Sequence, residues 1–115
     1  KTVWINLIVN ARDAVSGRDE AEIEVVSRLA PEGEHVLVMV RDNGKGMSEA
    51  EVQHIFEPFF TTKQVGKGTG LGLSLAYNII KNHKGDFIFL VFKNFSGSFS
   101  CTRCMHRISK HLEYF

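Results

Sequence analysis

The chain has 115 residues, 14 Lys and Arg against 13 Asp and Glu, and a formal net charge of +1 at pH 7 with both signs interspersed. That balance argues against a basic nucleic-acid face. The length allows one small domain, which would bury roughly two thirds of its unfolded surface. The longest apolar run, Phe87 to Phe92, falls far short of the about 20 residues needed to span a bilayer, so no direct membrane contact is expected. No signal sequence, internal repeat or low-complexity segment is evident. Two cysteines make no disulfide framework, and the expected setting is a reducing cytoplasm.

In chain order, Trp4, Leu7, Ile8, Ala11 and Val15 form an apolar stripe that predicts a helix over 2–16, with Ser16-Gly17 as its stop. Asn6, Asn10 and Asp13 lie together on another side at i, i+4 and i+7. Asparagine is a poor interior helix residue because its amide competes for the backbone, so two of them one turn apart need a reason. Either they cap neighbouring loops and face water, or they form an oxygen-donor face for a hard cation or phosphate-bound water. Mg²⁺ favours such oxygen ligands.

Alternation over Ile23 to Ser27, a turn at Pro31-Glu32-Gly33-Glu34 and a nearly continuous apolar run from Val36 to Val40 predict an antiparallel hairpin whose second strand is buried. That strand ends in Arg41-Asp42-Asn43-Gly44-Lys45-Gly46-Met47. A carboxylate in this position suits the exocyclic amine of adenine and would reject the oxygen of guanine. Asp42-Asn43-Gly44 also reads as a simple turn, and taken alone that is the better reading.

Ser48 and Glu51 form a capping box ahead of a short helix carrying Val52, Ile55 and Phe56, which Pro58 ends. Phe59-Phe60-Thr61-Thr62-Lys63 then leads to Gly66, Gly68, Gly70 and Gly72 at alternate positions. Either Phe56, Phe59 and Phe60 are plain core, or they pin a lid. Glycines at this density sacrifice packing and gain room for a close approach to the backbone. Leu73, Ala76, Tyr77 and Ile80 then take helical spacing, so the run opens a helix whose N–H groups and dipole converge on one spot suited to phosphate, with Lys63 and Lys67 as added charge. The spacing is neither that of the P-loop nor that of the Rossmann fingerprint.

Four stretches thus stand in fixed order: Asn6-Leu7-Ile8-Val9-Asn10-Ala11, Asp42-Asn43-Gly44-Lys45-Gly46, Phe56-Glu57-Pro58-Phe59-Phe60-Thr61-Thr62-Lys63, and Gly66 to Leu73. This order resembles the N, G1, F and G2 boxes of the ATP-binding catalytic domain of sensor histidine kinases, members of the Bergerat-fold superfamily that includes gyrase, chaperones of that fold and mismatch-repair ATPases. The resemblance covers about residues 2–85. It implies a two-layer α/β sandwich with a mixed, mainly antiparallel sheet, helices 2–16 and 72–83 on one face, and ATP between them under a lid of residues 47–69.

By that resemblance Asn10 would hold Mg²⁺, with Asn6 on the phosphate side, these two being the catalytic pair. Asp42 would read adenine, with Gly44, Gly46 and Met47 beside the base. Phe59, Phe60, Thr62 and Lys63 would belong to the lid, and Gly66, Lys67, Gly68, Thr69, Gly70, Leu71 and Gly72 would wrap the phosphates. The γ-phosphate would pass to a histidine on a dimerisation domain and then to a response regulator. Gyrase-type relatives carry a water-activating glutamate where this chain has Asn6, an amide that is no general base at neutral pH. Phosphoryl transfer is therefore expected rather than hydrolysis, with a regulatory nucleotide-binding fragment or a Bergerat-type ATPase as the alternatives.

The sequence departs from the family pattern at two places. None of the five histidines has the context of a phosphoacceptor, so that residue is expected on a separate domain. After Lys84-Gly85-Asp86 a strand over 87–92 is expected, with Ser98 or Ser100 as a weak stand-in for an adenine-side hydroxyl. Residues 1–100 are read as the ATP-binding domain and 101–115 as a divergent tail. Cys101, Cys104, His106 and His111 offer four zinc ligands, but their spacing fits no standard site and free thiols are the favoured reading.

Overall fold

The structure, a computed structural model, describes residues 2–93 and 99–109, with side chains as far as Phe87. Helix α1 (Thr2–Ala14) buries Val3, Leu7 and Ala11, and Val15 just beyond it. This row of every fourth residue drifts only slowly around the helix. The stripe therefore centres nearer Val3 than expected, and Ile8, about 100° round from Leu7, is left 45% exposed. Gly17, at φ 80°, closes the turn after the helix.

Strands β1 (Ile23–Leu29) and β2 (His35–Asp42) pair antiparallel from Ile23 opposite Asp42 to Leu29 opposite Val36. The hairpin turn is closed by Ala30 N–H donating to the His35 carbonyl at 2.8 Å and Gly33 N–H donating to the Ala30 carbonyl at 2.8 Å. A one-turn helix, α2 (Glu49–Val52), carries the expected capping box. Glu51 N–H donates to Ser48 Oγ at 3.2 Å, and Ser48 N–H donates to the Glu51 carboxylate at 2.7 Å.

Helix α3 (Gly72–Asn82) buries Ser74, Ala76 and Ile80. It ends with Lys84 at φ 58° and the Gly85 N–H donating back to the Ile80 carbonyl at 2.9 Å, a left-handed helix stop built on a lysine.

Strands β3 (Asp86–Lys93) and β4 (Phe99–Ser109) complete one sheet in the order β1-β2-β4-β3, and every pairing described is antiparallel. The expected boundary after residue 100 falls inside β4, which lies between β2 and β3 and pairs with both. Cys101, Cys104, His106 and Ser100 have places on β4, but their side chains, like Ser98 and His111 altogether, lie outside the described residues.

Val40 faces Cys104 and Phe87 faces His106 in register, so both core residues sit on one side of the sheet. That side is covered by α1 over β2 and α3 over β3, and the core is Val3, Leu7, Ala11, Val40, Ala76, Ile80 and Phe87. On β1, Ile23, Val25 and Leu29 remain more than a third exposed. Phe56 joins the core from the loop after α2, its ring 4.6 Å from Tyr77 and 4.9 Å from Phe87, the latter nearly perpendicular at 81°. Of the three phenylalanines, Phe56 is thus the one that roots the segment in the core.

Among the described residues no helix is long and apolar enough to cross a membrane.

Candidate functional site

Packing decides which way α1 faces. With Val3, Leu7 and Ala11 in the core, Asn6, Asn10 and Asp13 fall about a quarter turn away, onto one wall of a cavity of about 410 Å³. That volume is in the range of small-molecule sites. Gly46 and Met47, just past β2, form a second wall; Phe60, Thr62 and Lys63 form a third; Lys67, Gly68, Thr69, Gly70 and Gly72 form the fourth. Twelve of the seventeen expected site residues, and Asp13 with them, therefore meet around one space.

Five others do not line it. Asp42 is 5% exposed at the end of β2, and its Oδ1 accepts the Gly44 N–H at 2.8 Å. Burial raises its pKa above the usual carboxylate value, against the lowering effect of that N–H. Gly44 is glycine for a packing reason: a Cβ there would stand 2.5 Å from the Ala14 carbonyl carbon. Lys45 N–H donates to that same Ala14 carbonyl at 3.0 Å, so the turn after β2 is clamped to the end of α1. The room expected beside Gly44 for a base is thus filled by α1.

Phe59, 74% exposed at φ 68°, turns its ring outward, and the cavity takes Phe60 instead. Gly66 (φ 84°) and Leu71, the residue before α3, serve the shape of the loop rather than its inner surface. Asn43 proves to be structural: its side chain accepts from Glu22 N–H at 2.9 Å and donates to the Glu20 carbonyl at 2.7 Å, tying down the 18–22 loop.

The glycine run lies directly against the 59–63 segment. Gly70, at φ 69°, is approached so closely by the Phe59 backbone that a side chain there would collide with it. At Gly68 a Cβ would lie 2.8 Å from the Lys63 Cδ. At Gly72 it would lie 3.4 Å from Asn6 Oδ1, which brings the Asn6 amide to the first turn of α3. No side chain caps that turn. Leu71 N–H instead donates to Thr69 Oγ1 at 3.3 Å, and buried Ser74 donates its hydroxyl to the Leu71 carbonyl at 3.0 Å. The remaining amides at the helix start carry the positive end of the dipole towards the cavity.

Sequence reasoning missed how the charges are arranged. Arg12, Lys45, Lys63 and Lys67 line the cavity against a single carboxylate, Asp13. Lys63 Nζ donates to Asp13 Oδ2 at 2.6 Å and to Asn10 Oδ1 at 3.4 Å. Arg12 holds the other oxygen of Asp13 through contacts of 2.9 and 3.2 Å. The Asp13 carboxyl is held below its ordinary pKa, first by Lys63 and then by Arg12. Asp13 was visible at i+7 from Asn6, but its partner stands 50 positions along the chain.

Asn10 Oδ1 already accepts an ammonium in this structure, so an uncharged oxygen donor faces the cavity where a cation is held. That donor chemistry fits Mg²⁺.

The family model described as "Histidine kinase-, DNA gyrase B-, and HSP90-like ATPase" matches residues 1–103. The chain is 45% identical to the sensor kinase CckA of Brucella abortus over 100 residues, covering 76% of this chain and 10% of that protein. It is 45% identical to sporulation kinase A of Bacillus subtilis over 86 residues, covering 74% of this chain and 13% of that protein. It thus spans about a tenth of the length of the curated relatives it matches. Among solved structures, the nucleotide-free catalytic domain of histidine kinase ThkA superposes with a TM-score of 0.74 at 33% identity, covering 94% of this chain and 64% of that one. The mycobacterial sensor histidine kinase MprB reaches the same TM-score of 0.74 at 18% identity, a likeness of fold, with 94% of this chain and 71% of that one covered.

Proposed function

Since the chain belongs to the family of histidine kinase-, DNA gyrase B- and HSP90-like ATPases, we propose that it is the ATP-binding catalytic part of a two-component sensor histidine kinase. It binds Mg-ATP and presents the γ-phosphate to a histidine on a separate dimerisation domain, from which a cytoplasmic response regulator is served. One observation carries this reading: a cavity whose walls combine an oxygen-donor helix face, four cations and an uncapped helix start.

The cavity has a division of labour. Met47, Ile55 and Leu73 give it an apolar side for a base. Asp42, buried at the end of β2 and not itself lining the cavity, would read the adenine amine with Oδ2, since Oδ1 is taken by the Gly44 N–H. Amides of the glycine run and of the first turn of α3 face the phosphates, and Lys63 and Lys67 balance their charge. Asn10, whose Oδ1 faces the cavity, would hold Mg²⁺, which when bound neutralises phosphate charge. Asn6, beside Gly72, offers an amide where water activation would need a base. Nothing at that position favours attack by water, and phosphoryl transfer asks chiefly for positioning and charge neutralisation.

The test is phosphotransfer in trans from ATP to a supplied histidine-containing dimerisation domain. Transfer with slow phosphate release in its absence is expected. Steady phosphate release without an acceptor would overturn the reading in favour of an ATPase.

A further inference from the structure

The lone carboxylate lining the cavity calls for an explanation, because an unpaired anion there would repel a polyphosphate. Asp13 is not unpaired. It lies on α1, its Oδ1 is fixed by Arg12, and its Oδ2 receives the Lys63 ammonium at 2.6 Å from the 59–63 segment across the cavity. Both side chains of this pair are about a third exposed, 30% for Lys63 and 32% for Asp13, so water and solutes reach it. A lysine side chain left to itself spreads its charge over many rotamers. Here Asp13 holds one ammonium hydrogen at 2.6 Å; the one 3.4 Å from Asn10 Oδ1, the oxygen that would hold Mg²⁺, and the third are left for other acceptors.

We propose that Asp13 is a positioning residue that docks the Lys63 ammonium beside Asn10, so that the segment over the cavity presents a fixed positive charge to the terminal phosphates of the nucleotide. The inference rests on the proposed ATP site and deepens it: the acid on α1 acts through the lysine and touches no substrate. Gly68 belongs to the same device, since its missing side chain leaves space for the Lys63 stem.

The experiment is a set of calorimetric titrations of the parent chain, Asp13→Asn, Lys63→Met and the double variant, each with a non-hydrolysable ATP analogue and with adenosine. Loss of a partly exposed ion pair predicts about a three- to fivefold weaker Kd for the ATP analogue in Asp13→Asn. Adenosine binding should stay at the parental value, which also shows that the variant is folded. The double variant should bind no more weakly than Lys63→Met, and Asp13→Glu, which keeps the charge, should recover part of the loss.

Additive losses would overturn the inference, as would an Asp13→Asn variant that binds the ATP analogue as tightly as the parent. Tighter binding would make Asp13 a rival of the phosphates and overturn it equally. A parent that binds neither compound removes the ATP site itself and this inference with it, whereas a binding parent with an indifferent Asp13→Asn removes the inference alone.

Discussion

The floor of the cavity and the segment that covers it hold their side chains in place by opposite means. On the floor, Asn6 and Asn10 are aimed because Val3, Leu7 and Ala11 on the same helix are buried to within 3% exposure, and Asp42, next to the cavity wall in sequence though not lining it, is fixed because β2 is paired on both sides. Over the cavity, residues 59–63 belong to no helix or strand. They are held by Phe56 in the core at one end, by Gly70 against the Phe59 backbone, and by the pairing of Lys63 with Asp13. The difference teaches that one binding site can draw on two reserves of stability. Side chains of the helix and strand walls are as stable as the fold, whereas the 59–63 segment is held by a few local contacts.

The largest expected effect sets affinity against stability on the floor. Asp42→Asn should lose about 1.5–3 kcal/mol of adenine-nucleotide binding, the worth of a charge-assisted hydrogen bond, as read by calorimetry. Its stability should not fall. The folded pKa of Asp42 lies above the unfolded one, so the ionised carboxyl costs stability in full above the folded pKa, and the cost fades as pH falls through it. An amide of the same shape can still accept the Gly44 N–H and removes that cost at neutral pH. A variant with a lower midpoint of unfolding and normal affinity would invert the assignment.

Phe56→Ala tests the root of the covering segment. It removes ring contacts with Tyr77 and Phe87, and should cost about 2–3 kcal/mol in denaturant unfolding, somewhat less than a fully buried phenylalanine because Phe56 is only partly buried. Gly70→Ala tests the middle. The positive φ and the Phe59 backbone leave no room for a side chain. About 1–2 kcal/mol of strain should appear mainly as weaker nucleotide binding, with the unfolding midpoint little changed; a large fall in that midpoint would mean that the segment shares the stability of the floor. The smallest effect lies away from the site. Lys84→Gly relieves a left-handed lysine at the end of α3 and should stabilise the chain by up to about 1 kcal/mol, leaving affinity untouched.

The same division explains what the sequence made legible. Periodicity carries the elements of the floor: α1, the hairpin, the capping box and α3 are each written in local spacing. Even there the burial of Val3 in place of Ile8 shows that a stripe read from apolar residues alone is uncertain by one position, because the partner helix and sheet choose its centre. The glycine run and its lysines were legible as a wall of one space because glycines at this density have few uses other than close approach to the backbone. Unreadable were features whose cause lies far along the chain: Lys63 on Asp13, Gly44 on Ala14, and Asn43 on the 20–22 backbone. Strand β4 was hidden for a related reason. Thr102, Cys104, His106 and Ile108 alternate with Cys101, Arg103, Met105 and Arg107, so neither set is plainly apolar. Its place between β2 and β3 comes from backbone pairing on both edges, which any sequence can supply.

Whether these walls assemble a site for Mg-ATP is decided by calorimetric titration of the chain with a non-hydrolysable ATP analogue, with and without Mg²⁺ and against the GTP analogue. Binding that strengthens with Mg²⁺ and favours adenine over guanine is expected. A folded chain that binds neither nucleotide, or binds both alike, would contradict it.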